Sequence, residues 1–369
     1  MNILILNYRD SKHPQAGGAE VHLQRIFSRI ASWGHRVLLV TTQFPGATER
    51  DSIEGIEVLR MGGDHLFQFH VLAKYRSICK EFNPDVVVED LNKLPFYTPL
   101  LDKRPKFIQI HHLWRYSIFQ EASFPVAFLV WFQENLIPWF YKKEQFAAVS
   151  PSTVSELEEM GIPSRNIHLI YNGSENDWGQ IEHAHQKGRY FLWLGRLRRY
   201  KGVWVALEAF KKFSAKVPDV KLVIAGGGPE EQPMRRAIAE WGLQERVEIL
   251  GFIPMEEKRN LLRGALCLIQ SSFKEGWGLT IIEAGICGTM SIASRVPGLK
   301  DSVIEGHTGL LVEAGNPGAL ANSMIQVIQD PDGRQNMERA ARVHAQSFSW
   351  EKAAKQTFEV LLQCVSRKG

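Results

Sequence analysis

The stretch Tyr190-Phe191-Leu192-Trp193-Leu194-Gly195-Arg196-Leu197 restarts, halfway along the chain, a pattern first seen at Met1-Asn2-Ile3-Leu4-Ile5-Leu6-Asn7. Each is a short, continuous apolar run, as expected of a strand buried on both faces of a parallel sheet. Arg36 to Thr42, Asp85 to Val88, Phe107 to Ile110 and Phe146 to Val149 continue the first series. Lys221 to Ala225, Val247 to Leu250, Cys267 to Gln270 and Met290 to Ala293 continue the second. Helical spacing separates them, as in Glu20 to Trp33 with Val21, Leu23, Ile26, Phe27 and Ile30, and in Val205 to Phe213. Strands alternating with helices predict an α/β protein. Between the two series Ser174 to Gly188 is polar, rich in His, Gln and Gly, and reads as a linker. At 369 residues the chain exceeds a typical single core. We expect two open parallel-sheet domains facing a cleft, residues 1–175 and 176–348, with a helix over 349–369 placed to cross back to the first.

The charge balance excludes some partners. Up to Glu175 there are 18 Lys and Arg against 19 Asp and Glu; beyond it 26 face 21, so the net +4 comes from the second half. That surplus suits an anionic ligand there and is too small for nucleic-acid binding. Cys79, Cys267, Cys287 and Cys364 lack metal-ligand spacing and read as reduced core residues of a cytoplasmic protein. The apolar start is too short for a secretory signal.

Ligands of open α/β sheets bind beyond the carboxyl ends of the strands, so the loops there carry the function. The most informative is Glu275-Gly276-Trp277-Gly278-Leu279-Thr280-Ile281-Ile282-Glu283. Its glycines suit a tight loop and Leu279 opens a helix. Amides near Gly278, Leu279 and Thr280 then form an anion site, with one carboxylate ahead of the helix and one on its side. Phosphates flanked by hydroxyl groups fit this pattern, as in a nucleotide sugar; a glycine loop with two solvated glutamates is the alternative.

Other strand tips agree. Leu194-Gly195-Arg196-Leu197-Arg198-Arg199-Tyr200-Lys201-Gly202 gathers cations that repel one another unless an anion lies among them. Arg196 and Lys201 are the candidate diphosphate ligands, and Arg198 and Arg199 read as solvated charge. Gly226-Gly227-Gly228-Pro229 lacks the spaced dinucleotide fingerprint and reads as a close-approach turn, with Gly227 beside the donor. Gly251, Phe252 and Ile253 offer backbone groups and a ring for a flat base. In the first domain, Gly17-Gly18-Ala19-Glu20 leads into a helix. His111 and His112 follow one strand, and His111 is placed either to serve a sugar hydroxyl or as structure. Glu89 and Asp90 end another strand, ahead of Asn92; they either touch a sugar or cap a turn.

Taken together, these residues resemble glycosyltransferase family 4 of the GT-B fold, with its two Rossmann-like domains. The matching stretches are Gly17 to Glu20, Ile110-His111, Ala148 to Thr153, Asn172-Gly173, Gly195 to Leu197, Tyr200 to Gly202, Gly226 to Pro229, Gly251-Phe252 and Glu275 to Glu283. The resemblance implies retaining transfer of a hexose from a nucleotide diphosphate donor, most simply a UDP-sugar, with no cofactor or metal. It places Arg196, Lys201 and the amides of Gly17, Gly18, Leu279 and Thr280 on the diphosphate. Glu283 falls on the ribose hydroxyls, and Glu275 on the donor sugar's hydroxyls with Gly276, Trp277 and Gly278 around it. Gly251 to Ile253 meet the base, and His111 lies near the sugar's C6 side. With His111, the residues Glu275, Arg196 and Lys201 form the expected catalytic set; Glu89, Asn92 and His112 are acceptor-side candidates.

The chain departs from the family at Val296-Pro297-Gly298-Leu299-Lys300-Asp301, where many members carry a Gly-Gly pair and a glutamate, and at Ser174-Glu175 after Asn172-Gly173. The first departure weakens no catalytic assignment and counts as no evidence for the site, and the linker edge is assigned no role. The expected acceptor is a glycan, a glycolipid or a lipid-linked molecule, as in polysaccharide biosynthesis. Phe124 to Tyr141 is heavily aromatic, then basic at Lys142-Lys143, and too interrupted to span a bilayer. It is either a helix packed under the cleft or one dipping into a membrane surface. A sugar-nucleotide epimerase of the same fold and a non-catalytic binding protein are the rival functions.

Overall fold

The computed structural model describes residues 1–63, 66–91, 94–120, 122–174 and 187–367. It divides into two units, Met1–Gly173 with Trp350–Gly369, and Ser174–Ser349. The expected linker lies outside the described residues except for Ser174, Lys187 and Gly188.

The first unit holds eight strands: β1 (Asn2–Leu6), β2 (Arg36–Thr41), β3 (Arg50–Ile53), β4 (Ile56–Arg60), β5 (Val86–Asp90), β6 (Lys106–Ile110), β7 (Gln145–Ala148) and β8 (Ile167–Leu169). Their order is β3-β4-β2-β1-β5-β6-β7-β8, parallel throughout except for the antiparallel β3–β4 pair. That hairpin was not expected from the sequence. Its two-residue turn is Glu54-Gly55, both at positive φ, which matches the right-handed twist of the flanking strands. Helices α1 (Gly18–Ser32), α2 (Phe67–Phe82), α3 (Phe124–Tyr141) and α4 (Pro151–Glu159) cover this sheet. Leu23, Ile26, Phe27 and Ile30 of α1 are buried, as the helical spacing predicts, whereas Val21 is exposed.

The second unit is parallel in all its pairings. Its strands β9 (Tyr190–Leu194), β10 (Lys221–Ala225), β11 (Val247–Gly251), β12 (Cys267–Gln270), β13 (Ser291–Ser294) and β14 (Gly309–Val312) lie in the order β11-β10-β9-β12-β13-β14. Strand order reverses between β9 and β12, and between β1 and β5 in the first unit. Each reversal opens a crevice at the strands' carboxyl ends. Helices α5 (Val203–Ser214), α6 (Glu231–Glu240), α7 (Met255–Gly264), α8 (Leu279–Ile286), α9 (Leu299–Ser302), α10 (Pro317–Gln329) and α11 (Pro331–Gln346) complete the unit. Phe191, Trp193, Phe210 and Phe213, all fully buried, anchor its core, which fixes β9 and β12 and hence the loops that leave them. The last helix, α12 (Trp350–Ser366), packs on α1 in the first unit.

All four cysteines are free. Among the described residues no helix is long and apolar enough to cross a membrane, and no group of three or more His, Cys, Asp or Glu is placed to hold a metal ion. Asp330 caps α11, accepting from the Gly333 N–H at 2.9 Å.

Candidate active site

The crevice between β9 and β12 draws the second unit's candidates together. The loop after β9 turns at Gly202, whose φ of +67° suits glycine, and a Cβ there would stand 1.8 Å from the Ser271 carbonyl oxygen. Ser271 ties the two strand tips together: its Oγ donates to the Gly202 carbonyl at 2.7 Å and accepts from Trp193 Nε1 at 3.2 Å. Lys201, the residue before this turn, is thereby aimed at the loop after β12, where its Nζ meets Glu275 Oε1 at 2.5 Å. Ser272 Oγ donates to the same oxygen at 2.8 Å. Burial alone would lower the Lys201 pKa, but the Glu275 carboxylate outweighs it and the pKa is raised. Lys201 is therefore held as a cation. The Arg196 charge is also felt at Lys201.

Helix α8 starts beside this pair. Gln270, at the end of β12, donates to Thr280 Oγ1 and fixes the first turn. Of the two amides expected to face a diphosphate, Leu279 donates instead to the Trp277 carbonyl at 3.0 Å. Thr280 N–H keeps no intrachain acceptor among the described residues. Trp277 is 6% exposed and lies edge-on to Phe348, and Gly276 is buried, so both support the loop rather than line its surface. Gly278 is also structural: a Cβ there would meet Ser302 Oγ at 2.4 Å.

Glu283, one turn into α8, forms an ion pair of 2.6 Å with Lys258 of α7, a residue that sequence reasoning did not single out. Gly298 was missed too. In the loop where the chain departs from the family pattern, its φ is +82° and a Cβ would lie 2.5 Å from the Glu275 carbonyl oxygen, so it braces the Glu275 loop. Arg199 is exposed beside Glu230 and Arg198 is exposed, as solvated charges should be.

The glycine run after β10 packs on protein backbone. A Cβ on Gly226 would sit 1.9 Å from the Gly195 carbonyl oxygen and one on Gly228 2.4 Å from that of Leu197, while Gly227 has open space. At the tip of β11, Gly251 sits at φ +71° in open space and Phe252 is 91% exposed, with Ile253 half-buried.

In the first unit, α1 begins at Gly18, and the Gly17 N–H donates to Glu20 Oε2 at 2.6 Å. The Gly17 amide is thus used within the chain. His111 is 7% exposed at the end of β6, with its Nε2 3.2 Å from Asp90 Oδ1. The His22 ring stands perpendicular to it, centroids 4.7 Å apart, and His22 Nδ1 lies 2.6 Å from Asn172 Oδ1. Burial, then the neighbouring His111 charge, push the His22 pKa down to about 3, so this histidine is neutral.

For Glu89 the structure shows the turn-capping alternative and not the acceptor-side one. It is fully buried and accepts from the Phe96 N–H, the Thr98 N–H and hydroxyl, and the Tyr141 hydroxyl, so no acceptor reaches it; burial raises its pKa. Asn92 lies outside the described residues. His112 is half-buried with its ring against Trp114.

Two family models match. Residues 16–177 fit "Glycosyltransferase Family 4" and residues 175–344 fit "Glycosyl transferases group 1". The chain belongs to the family 4 glycosyltransferases. Among curated relatives of this family 4 chain, the D-inositol 3-phosphate glycosyltransferase of Corynebacterium urealyticum is 36% identical over 174 residues, 45% of the chain and 41% of the relative. The match thus spans about two fifths of that relative's length. Among solved structures, sucrose-phosphate synthase from Thermosynechococcus elongatus superposes with TM-score 0.83 at 20% identity, covering 99% of both chains. Anabaena HepE in complex with UDP-glucose gives 0.79 at 21%, covering 98% of this chain and 100% of that one. At these identities the likeness shows the fold, which is GT-B.

Proposed function

We propose that this family 4 member is a retaining hexosyltransferase that takes a hexose from a nucleotide diphosphate sugar, most simply a UDP-hexose. The observation that carries this reading is the β9/β12 crevice, a strand-order reversal where Lys201 pairs with Glu275 just ahead of α8, the helix that carries the Thr280 amide and Glu283. In the transfer, the bond from the sugar's C1 to the diphosphate oxygen breaks and negative charge builds on the leaving phosphate. Fixed cations and a helix N-terminus stabilise that charge more in the transition state than before it. Arg196 and Lys201 supply the charge without a metal.

The acceptor oxygen attacks C1 from the same face, and its proton passes to the departing phosphate oxygen. Glu275, held by Lys201 and Ser272, orients the sugar's hydroxyls rather than attacking C1. His111, tethered to Asp90, is assigned to the sugar's C6 side. Anabaena HepE, which shares the fold, holds UDP-glucose in its solved complex, and this supports a uridine donor.

Nucleotide release from a panel of UDP-, GDP- and ADP-sugars, with and without glycan acceptors, tests the reading. One donor should turn over, and Arg196→Ala or Lys201→Ala should cut its kcat about 100- to 1000-fold. Conversion of a donor into an epimeric sugar nucleotide, with no acceptor and no nucleotide released, would favour the epimerase. Silence with every donor, with tight UDP binding, would favour a binding protein.

A second reading concerns where the acceptor lies. On α3 only Ala127, Glu134, Ile137 and Tyr141 are buried, while Trp139 is 80% and Phe124 72% exposed, beside exposed Phe128, Leu129 and Phe132. Glu134, the sole acidic residue of α3, turns inward to accept from the Trp114 and Arg115 N–H groups, both at 2.7 Å. Exposed Lys142 and Lys143 follow at the helix end. Aromatic and cationic groups together fit an anionic lipid surface, which a lipid-linked acceptor would share. Flotation with phosphatidylglycerol vesicles should carry the protein, neutral vesicles less, and Phe128→Ser with Trp139→Ser should abolish it. Unchanged flotation of that variant would refute this reading.

A further inference from the structure

The two site carboxylates share one arrangement: each faces a lysine from a different element. Lys201 meets Glu275 and Lys258 meets Glu283. The first lysine has an expected ligand of its own. The second does not, and nothing in the proposed transfer uses it.

Lys258 lies in the first turn of α7, directly after the β11 tip, and its side chain is 20% exposed against 12% for Glu283. The pair is therefore largely shielded from solvent rather than on open surface. A carboxylate that accepts two hydroxyl hydrogen bonds must keep one rotamer and must not repel the nearby diphosphate. An ion pair from behind does both.

We infer that Lys258 is a positioning residue for the nucleoside ribose: it holds and neutralises Glu283 so that the carboxylate can accept from the ribose hydroxyls. The inference rests on the proposed nucleotide-sugar donor. It makes Lys258 act through Glu283 and not on the phosphates, and this separates it from a simple electrostatic role. Lys258 should therefore matter only for nucleotides that carry ribose hydroxyls.

The test is calorimetric titration of the full chain with UDP and with 2′,3′-dideoxy-UDP. Wild type should prefer UDP by about tenfold or more, the scale of a hydrogen bond to a charged group. Lys258→Met should weaken UDP by about tenfold and leave the dideoxy nucleotide within about twofold, so that the preference collapses. Lys258→Arg should restore most of it, and Glu283→Gln in the Lys258→Met background should add little. Equal loss for both nucleotides in Lys258→Met would overturn the inference in favour of a phosphate contact, and an intact preference would overturn it outright. Equal wild-type affinity for the two would overturn it while leaving the diphosphate site standing. Failure of wild type to bind either would bring down the donor reading and the inference with it. Thermal melts of both variants show whether they fold, and the Arg variant keeps the test open if the Met variant does not.

Discussion

Alanine substitution of Gly226, Gly227 and Gly228, one at a time, should give opposite results at adjacent positions. Gly226 has φ +136°, closed to other residues, and its added methyl would lie 1.9 Å from the Gly195 carbonyl oxygen. Real Cβ contacts essentially never fall under 3.0 Å, so the two backbones must part by about an ångström. That parting strains the hydrogen bonds from Gly226 to Gly251, 2.7 Å, and from Gly195 to Ala225, 3.1 Å. Backbone strain of about 1–3 kcal/mol and about 1 kcal/mol for each weakened bond put the cost near 3–5 kcal/mol. For a domain of roughly 150–250 residues that lowers the melting temperature by about 6–20 °C. Gly228→Ala, 2.4 Å from the Leu197 carbonyl oxygen, should follow the same direction. Gly227→Ala meets nothing within 4 Å and should melt within about 2 °C of wild type. If the donor approaches Gly227 as proposed, that stable variant should show a raised KM for the nucleotide sugar. Calorimetry of the three variants decides the matter. A Gly226→Ala protein that melts like wild type, or a Gly227→Ala protein that is the least stable, would refute the close-approach argument.

Three further outcomes are expected. Lys201→Met leaves Glu275 with Ser272 but no cation, and should cost about 1–3 kcal/mol in stability while cutting kcat; Glu275→Gln should cost kcat with a smaller change in melting, and the reverse ranking would contradict the pairing. His22 has a folded pKa of about 3 against 6.5 for the free side chain, so its contribution is fully present above pH 6.5 and is lost as the pH falls toward 3. The wild type should therefore lose up to about 1.4 kcal/mol per pH unit below 6 through this group, and His22→Gln should flatten that slope in urea titrations; equal slopes would reject a buried neutral His22. Glu89→Gln places a donor among three donor residues and should destabilise by about 1–3 kcal/mol without changing KM for donor or acceptor; a selective KM change would restore Glu89 to the acceptor side.

How much of this was legible in the sequence depended on whether a signal was local. Strands such as β1, β9 and β10 are apolar runs ended by polar or glycine residues, and their bounds were readable to within about a residue. The β3–β4 hairpin was not, because its strands read Arg-Asp-Ser-Ile and Ile-Glu-Val-Leu-Arg, with little apolar continuity, and only the Glu54-Gly55 turn marks it. In the site, Glu275, Glu283 and Lys201 stood out through their spacing from glycines and strand ends. Lys258 carried no such mark: its partner lies on the next helix but one strand away, and pairing across elements leaves no local pattern. Gly298 failed for a related reason, since what it approaches, the Glu275 backbone, is remote in sequence. Glu89 stayed open between two readings because a glutamate at a strand end looks alike whether it faces a ligand or four donor groups from the chain.

If the proposed donor binds in the β9/β12 crevice, the charge arrangement lets two carboxylates share it with a diphosphate. At an effective dielectric of about 20 and a separation of about 6 Å, each carboxylate would repel a phosphate charge by about 3 kcal/mol, enough between them to lower affinity by several orders of magnitude. On the proposed donor reading, Lys201 and Lys258 offset that repulsion by pairing with Glu275 and Glu283, and the α8 N-terminus adds to the attraction. The two pairs differ in what happens next. In the donor reading Lys258 keeps Glu283 fixed, whereas Lys201 serves both Glu275 and the incoming phosphate. Lys201 and Ser272 both meet Glu275 at Oε1, so on the donor reading Oε2 is the oxygen left to accept from the sugar hydroxyls while the pair stays intact.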